Sequence, residues 1–103
     1  MVEYNIILTE PAQTDMREIW TYIAYELKDP NAADNLIDEL EKGILSLSSM
    51  PKRIGLVQDE QLAAKGIRDL LVENYVIFFK ISKPRIVTIQ RVLYVRRDWQ
   101  SIL

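Results

Sequence analysis

Two periodicities divide the chain. Between Thr9 and Leu47 apolar residues recur three or four positions apart, whereas between Ile67 and Tyr94 they crowd into short runs rich in β-branched and aromatic side chains. In the first region Ala12, Met16, Ile19, Trp20, Ile23 and Leu27 form one stripe, with Asp15, Arg17, Glu18 and Glu26 largely outside it, which predicts a single amphipathic helix. Thr9 is placed to cap that helix, Glu10 sits favourably on its dipole, and Pro11 falls in the first turn, where its missing N–H would have been unpaired anyway. Lys28-Asp29-Pro30 ends it and starts a second: Asp29 caps, Pro30 takes the first helical position, and Ala33, Leu36, Ile37, Leu40, Ile44 and Leu47 make the next stripe, slightly weakened by Gly43. Two antiparallel helices on so short a connection share an apolar face that only a sheet or another molecule can bury.

The second region supplies the sheet. Ile67–Val72, Tyr75–Ile81 and Ile86–Tyr94 read as strands, and Glu73-Asn74 and Ser82-Lys83-Pro84-Arg85 as the turns of an antiparallel meander. Val76-Ile77-Phe78-Phe79 is apolar on both faces, which places that strand centrally with material above and below it. Tyr4–Leu8 is a further short strand. Residues 51–65 are the least regular stretch, with Leu56, Val57 and Leu62 as anchors and a helical turn over Asp59–Lys65. The expected architecture is α+β, in the order β-α-α-β-β-β, with a helical hairpin packed on one face of a mainly antiparallel four-stranded sheet. The other face is expected to be wholly or partly open for function.

Composition narrows the chemistry. With 103 residues, 49% of them hydrophobic, the chain fills one core, so a single domain over 1–103 is expected. It has neither cysteine nor histidine, which removes disulfides, thiolate chemistry, the commonest general base and the commonest metal ligand. No cofactor or metal is implied. No run approaches the about 20 apolar residues of a membrane span, and a soluble, cytoplasmic protein without a membrane partner is expected. The net charge of −2 conceals a polarity: residues 1–50 carry ten acids and three bases, residues 51–103 five acids and ten bases. The basic, sheet-forming half is therefore expected to meet an anionic macromolecule.

Strand alternation sets Arg68 with Leu70 and Val72 on one face of its strand, opposite Ile67, Asp69 and Leu71. In the last strand it groups Val87, Ile89, Arg91 and Leu93 against Ile86, Thr88, Gln90, Val92 and Tyr94. Arg91 among apolar neighbours either reaches water or pairs with a carboxylate, for which Asp69 and Glu73 are available by type. The closing hexapeptide Tyr94-Val95-Arg96-Arg97-Asp98-Trp99 combines guanidinium forks with aromatic planes, a set suited to phosphate, carboxylate or a protein partner. Its alternative role is a tail held by Arg–Asp pairing, with Trp99, Ile102 and Leu103 packed on the core. The candidate binding residues are Arg68, Arg91, Tyr94, Arg96, Arg97 and Trp99. Phosphate loops, nucleophile elbows and paired catalytic carboxylates are absent from the sequence. Any catalysis would have to position a substrate's own 2′-hydroxyl and stabilise developing phosphate charge, with Arg68, Tyr94 and Arg96 as the groups on hand.

The strand running into Thr9-Glu10-Pro11-Ala12, the helix carrying Ile19-Trp20, then Gly66-Ile67-Arg68, Asn74-Tyr75-Val76-Ile77-Phe78-Phe79, and Arg91-Val92-Leu93-Tyr94 followed by Arg96-Arg97-Asp98 together resemble the RelE/ParE superfamily of small bacterial toxins. The resemblance covers nearly the whole chain and is weakest over 51–65. It implies the toxin half of a type II toxin–antitoxin pair, which inhibits growth and is silenced by a cognate antitoxin. RelE-like members cut ribosome-bound mRNA with two lysines, two arginines and a tyrosine. Laid on that pattern, Ile67 and Asp69 stand at the lysine positions, Val76 at the middle arginine and Ile102 at the tyrosine, and only Arg96 matches. The stretch VENYVIFFKI…IQRVLYVRRDW is closer to ParE-like members, which implies binding to a target such as DNA gyrase. The resemblance leaves two other roles open, a RelE-like ribosome-dependent endoribonuclease and an inactive binding module or co-repressor.

Overall fold

The computed structural model describes residues 3–103 and follows the expected order. Strand β1 (Asn5–Leu8) leads into helix α1 (Glu10–Thr21) and a π-helical turn at Tyr22–Glu26. Helix α2 (Pro30–Ser46), a short 3₁₀ turn (Pro51–Arg53) and helix α3 (Glu60–Ala64) come next. Strands β2 (Arg68–Val72), β3 (Tyr75–Ser82) and β4 (Ile86–Tyr94) then lead to the closing turn α4 (Trp99–Ile102). The local chemistry acts as its residue types require. Thr9 Oγ1 accepts from Ala12 N at 3.2 Å and Asp29 Oδ1 from Ala32 N at 3.0 Å, each satisfying an orphan donor of a helix start.

The sheet order is β1-β4-β3-β2. The two hairpins β2–β3 and β3–β4 are antiparallel, while β1 lies parallel to β4 in the register Asn5↔Ile86 to Leu8↔Ile89. The helical hairpin covers one face. Ala12, Leu40, Ile44 and Leu47 pack there against Ile77, Phe79, Val87, Ile89 and Val92, each less than 5% exposed. Gly43 costs α2 some helix propensity and permits its close approach to the sheet. A Cβ there would stand 2.7 Å from Val72 Cγ2 and 3.3 Å from Ile77 Cδ1, closer than packed atoms sit.

Two expectations are corrected and a third is narrowed. The first helix is not uniform: the Leu27 N–H reaches the Tyr22 carbonyl five residues back at 3.1 Å, and this widened turn carries Leu27 out of the stripe to 57% exposure. The alternation of β4 breaks as well. Phe78 pairs with Arg91 and Phe79 with Ile89, which leaves Gln90 as the extra residue of a bulge, so Val92 rather than Leu93 continues the helix-facing row. Thirdly, the second sheet face is covered where it is most apolar. Ile67, Val76, Phe78 and Leu93 lie beneath Val57, Leu62 and Ala63 on one side and Trp99, Ile102 and Leu103 on the other. The irregular segment and the tail both fold back because a strand apolar on two faces needs two covers. Among the described residues no helix is long and apolar enough to cross a membrane.

Candidate functional site

Beyond Leu8 the chain leaves β4, its last backbone contact there being Thr9 N–H to the Ile89 carbonyl at 3.2 Å, and the β4 backbone needs further partners at its bulge. Polar side chains of the α1 start supply them. Thr9 Oγ1 donates within 3.0 Å of the Ile89 and Gln90 carbonyl oxygens, and the Asp15 carboxylate accepts from Val92 N at 2.9 Å. The same carboxylate takes a two-pronged contact from Arg91, Nε to Oδ2 and Nη2 to Oδ1, both 2.7 Å. Asp15 is only 6% exposed. Arg91 is thus paired, but with Asp15 rather than with the expected Asp69 or Glu73, and its guanidinium is held still more firmly protonated, chiefly by this hydrogen bond. A residue on the polar side of the first stripe turns out to be the buried anchor of the last strand.

The other sequence candidates separate into bound and open groups. Arg68 donates through Nη1 to the Ile54 carbonyl and ties the irregular segment to the edge strand β2. Trp99 is half-buried with its ring edge-on to Phe78 at 5.0 Å between centroids, the packing role that was the tail's alternative reading. Arg96 and Arg97 are exposed, and neither forms an ion pair among the described residues. Tyr94 is 41% exposed and stands edge-on to Tyr75 at 5.6 Å. The structure therefore leaves Tyr94, Arg96 and Arg97 accessible at and just past the end of β4, and engages Arg68 and Arg91 in internal contacts.

That end borders a groove of about 1030 Å³ between the helical hairpin and the β2–β3 turn. Its apolar lining comes from Ile19, Ile23 and Leu27 on one helix and Leu36 on the other, and Tyr22, Tyr75, Tyr94 and Arg97 also contribute. Burial first, then Tyr94 and Tyr22, push the Tyr75 hydroxyl above its ordinary pKa, so the phenol stays a neutral donor. The carboxylates of Asp15, Glu18, Glu39 and Glu73 also belong to the lining. Sequence reasoning did not find this groove. Its walls are made by the π-helical turn and by Glu73 in the left-handed region (φ 54°), and neither conformation has a signature in these residue types. The exposed end therefore couples a cationic, aromatic segment to a groove with apolar and acidic lining, and it offers binding surfaces rather than a convergent acid–base set.

The family model for the ParE toxin of the type II toxin–antitoxin system parDE matches residues 6–99. No curated protein matches the chain significantly in sequence. Among solved structures, the chromosomal ParDE toxin–antitoxin system from P. aeruginosa is similar with a TM-score of 0.76 at 18% identity, over 93% of this chain and 100% of that one. The RelBE2 toxin–antitoxin complex from Mycobacterium tuberculosis is similar with a TM-score of 0.67 at 20% identity, over 91% of this chain and 93% of that one. At such identities the two structures share the fold with this chain.

Proposed function

This chain belongs to the ParE toxin family of type II toxin–antitoxin systems, and from that membership we propose that it inhibits growth by binding a macromolecular target such as DNA gyrase and is silenced by a cognate antitoxin. The observation that carries this reading is the division of its arginines. Arg96 and Arg97 stand exposed close to Tyr94 in sequence, with no ion pair among the described residues, whereas Arg68 and Arg91 serve internal contacts. A ribonuclease of the RelE kind needs several cations converging on one phosphate. Here Arg68 is held by the Ile54 carbonyl, and Ile67, Asp69 and Val76 add no positive charge. A surface that binds without bond-breaking needs only accessible guanidinium and aromatic groups.

The test has three parts. Induced in a bacterial host without its partner, the protein arrests growth, and the double variant Arg96→Ala/Arg97→Ala grows normally while keeping its thermal midpoint. A purified gyrase supercoiling reaction is inhibited by excess protein; a reaction indifferent to a large excess removes gyrase as target. Transcripts in a translating extract stay intact, and cleavage lost in Arg96→Ala would establish the endoribonuclease instead. Absence of growth arrest would leave only the inactive binding module.

A further inference from the structure

The two ends of the sheet differ in charge. At one end lie the starts of β1, β2 and β4 and the close of β3: Asn5 and Ser82 both pair with Ile86, Lys80 with Thr88, and Arg68 with Phe79. The segment after α2 is fastened there too, by Tyr4 N to the Ser48 carbonyl at 2.8 Å, by a bridge between Glu3 and Ser49, and by Arg68 to the Ile54 carbonyl. Folding thereby gathers residues 3–5, 48–57, 65–68 and 80–86, which hold seven bases and one acid. With the bordering Asp59, Glu60 and Asp69 counted against them, the bases still prevail. At the other end, beside Tyr75 and Tyr94, residues 22–39 and 73–74 hold six acids and one base. The nine residues of β4 set the two ends about 27 Å apart. That is several times the screening length of about 8 Å at physiological salt, so each end presents its own field.

Two of the seven bases are engaged: Arg68 as above, and Arg53, whose Nη1 donates to the Ser49 carbonyl at 2.7 Å and the Met50 carbonyl at 3.1 Å. Lys52, Lys65, Lys80, Lys83 and Arg85 form no ion pair among the described residues, and all but the half-buried Lys80 are exposed. By strand alternation Lys80 and Ser82 continue the row of Phe78 beyond its apolar cover, and Thr88 stands opposite Lys80. Ammonium and hydroxyl groups thus replace apolar ones on this part of the second face. The one aromatic residue of the gathered segments, Tyr4, packs on the core under the helices, so no ring is offered for the base stacking on which single-strand binding relies. Cations with hydroxyl neighbours and no stacking plane suit the phosphates of a duplex, which carry one charge per about 1.7 Å of axis and are held without reading bases. We propose that this end of the sheet grips the backbone of double-stranded DNA, independently of sequence, through Lys52, Lys65, Lys80, Lys83 and Arg85. The inference goes beyond the target reading above: Tyr94, Arg96 and Arg97 lie at and past the opposite end of β4 and stay free while DNA is held.

The experiment titrates a fluorescein-labelled duplex of about 20 base pairs and random sequence with the intact protein, followed by anisotropy, at salt from about 0.05 M to about 0.2 M. Engagement of four phosphates gives a slope of log K against log salt of about −3.6, which is an about 150-fold loss of affinity over that range. Lys83→Gln/Arg85→Gln is expected to bring the slope to about −1.8 and to weaken binding about tenfold or more at the lowest salt. Arg17→Gln/Lys42→Gln removes the same charge from the helical hairpin and is expected to change affinity by less than about twofold. Thermal melts establish that both variants fold. No binding of the duplex to the unaltered protein at about 0.05 M salt, or tighter binding of a single-stranded RNA of equal length or of a glutamate-rich peptide, overturns the proposal without reliance on any variant. Equal weakening by the two double variants overturns it as well, because net charge and not this end would then be responsible. None of these results touches growth arrest, so the toxin reading stands or falls separately.

Discussion

Asp15 makes three strong contacts for one side chain, and removing it tests how the last strand is held. Asp15→Ala leaves the Val92 N–H without its acceptor, a loss of about 1–3 kcal/mol for a buried donor. It also strands the Arg91 guanidinium, whose side chain is 25% exposed. Breaking a buried pair from one side costs about 3–5 kcal/mol, and the partial exposure of Arg91, which lets water reach it, favours the lower end, about 3 kcal/mol in all. With about 2.1 cal/mol/K of unfolding entropy per residue, 103 residues give a fall in Tm of about 14 °C. Arg91→Met in the same background removes the stranded charge, so the double variant should be less impaired than the sum of the singles by about 1–3 kcal/mol. Urea unfolding followed by circular dichroism, with m values unchanged across the four proteins, measures the cycle. Costs that add within about 0.5 kcal/mol, or an Asp15→Ala loss below about 1 kcal/mol, would refute the account of Asp15 as the anchor of the β4 edge.

Gly43→Ala gains up to about 1 kcal/mol of helix propensity but meets the stiff Val72 side chain, at about 1–3 kcal/mol. A net loss of about 1 kcal/mol is expected in thermal melts, and it should vanish or reverse when Val72→Ala makes room. Partial burial raises the Asp69 pKa, so its charged form is better accommodated in the unfolded chain; this penalty is present above the folded pKa and disappears as pH falls through it. Asp69→Asn should therefore raise Tm at neutral pH, with the difference shrinking on acidification; a gain that grows as pH falls contradicts the burial argument. Truncation after Asp98 removes Trp99, Ile102 and Leu103 from above Phe78. It should cost about 2 kcal/mol or more and expose apolar surface to a hydrophobic dye, whereas an unchanged melting curve would show the tail to be dispensable.

Much of this protein was legible from its order of residues because helix starts, stripes and turns depend on near neighbours. Thr9 and Asp29 act on backbone N–H groups three positions away and Pro30 through its own missing N–H, and the doubly apolar run Val76–Phe79 announced a central strand on its own. The sequence also supplied the tail with its paired arginines and Trp99, and left its two roles side by side. What it could not supply were consequences of distant meetings. Asp15 finds Arg91 76 residues on only because β1 stops short beside β4. The bulge at Gln90 reverses the alternation of every later side chain in β4, and no residue type at that point marks it. Which arginines stay in water was likewise settled by folding: the carbonyl of Ile54 claims Arg68 and a helix carboxylate claims Arg91, while Arg96 and Arg97 lie past the last strand, exposed and in no ion pair among the described residues. Local patterns report the energy of a residue's own neighbourhood, and partnership across the chain is decided only when the layers close.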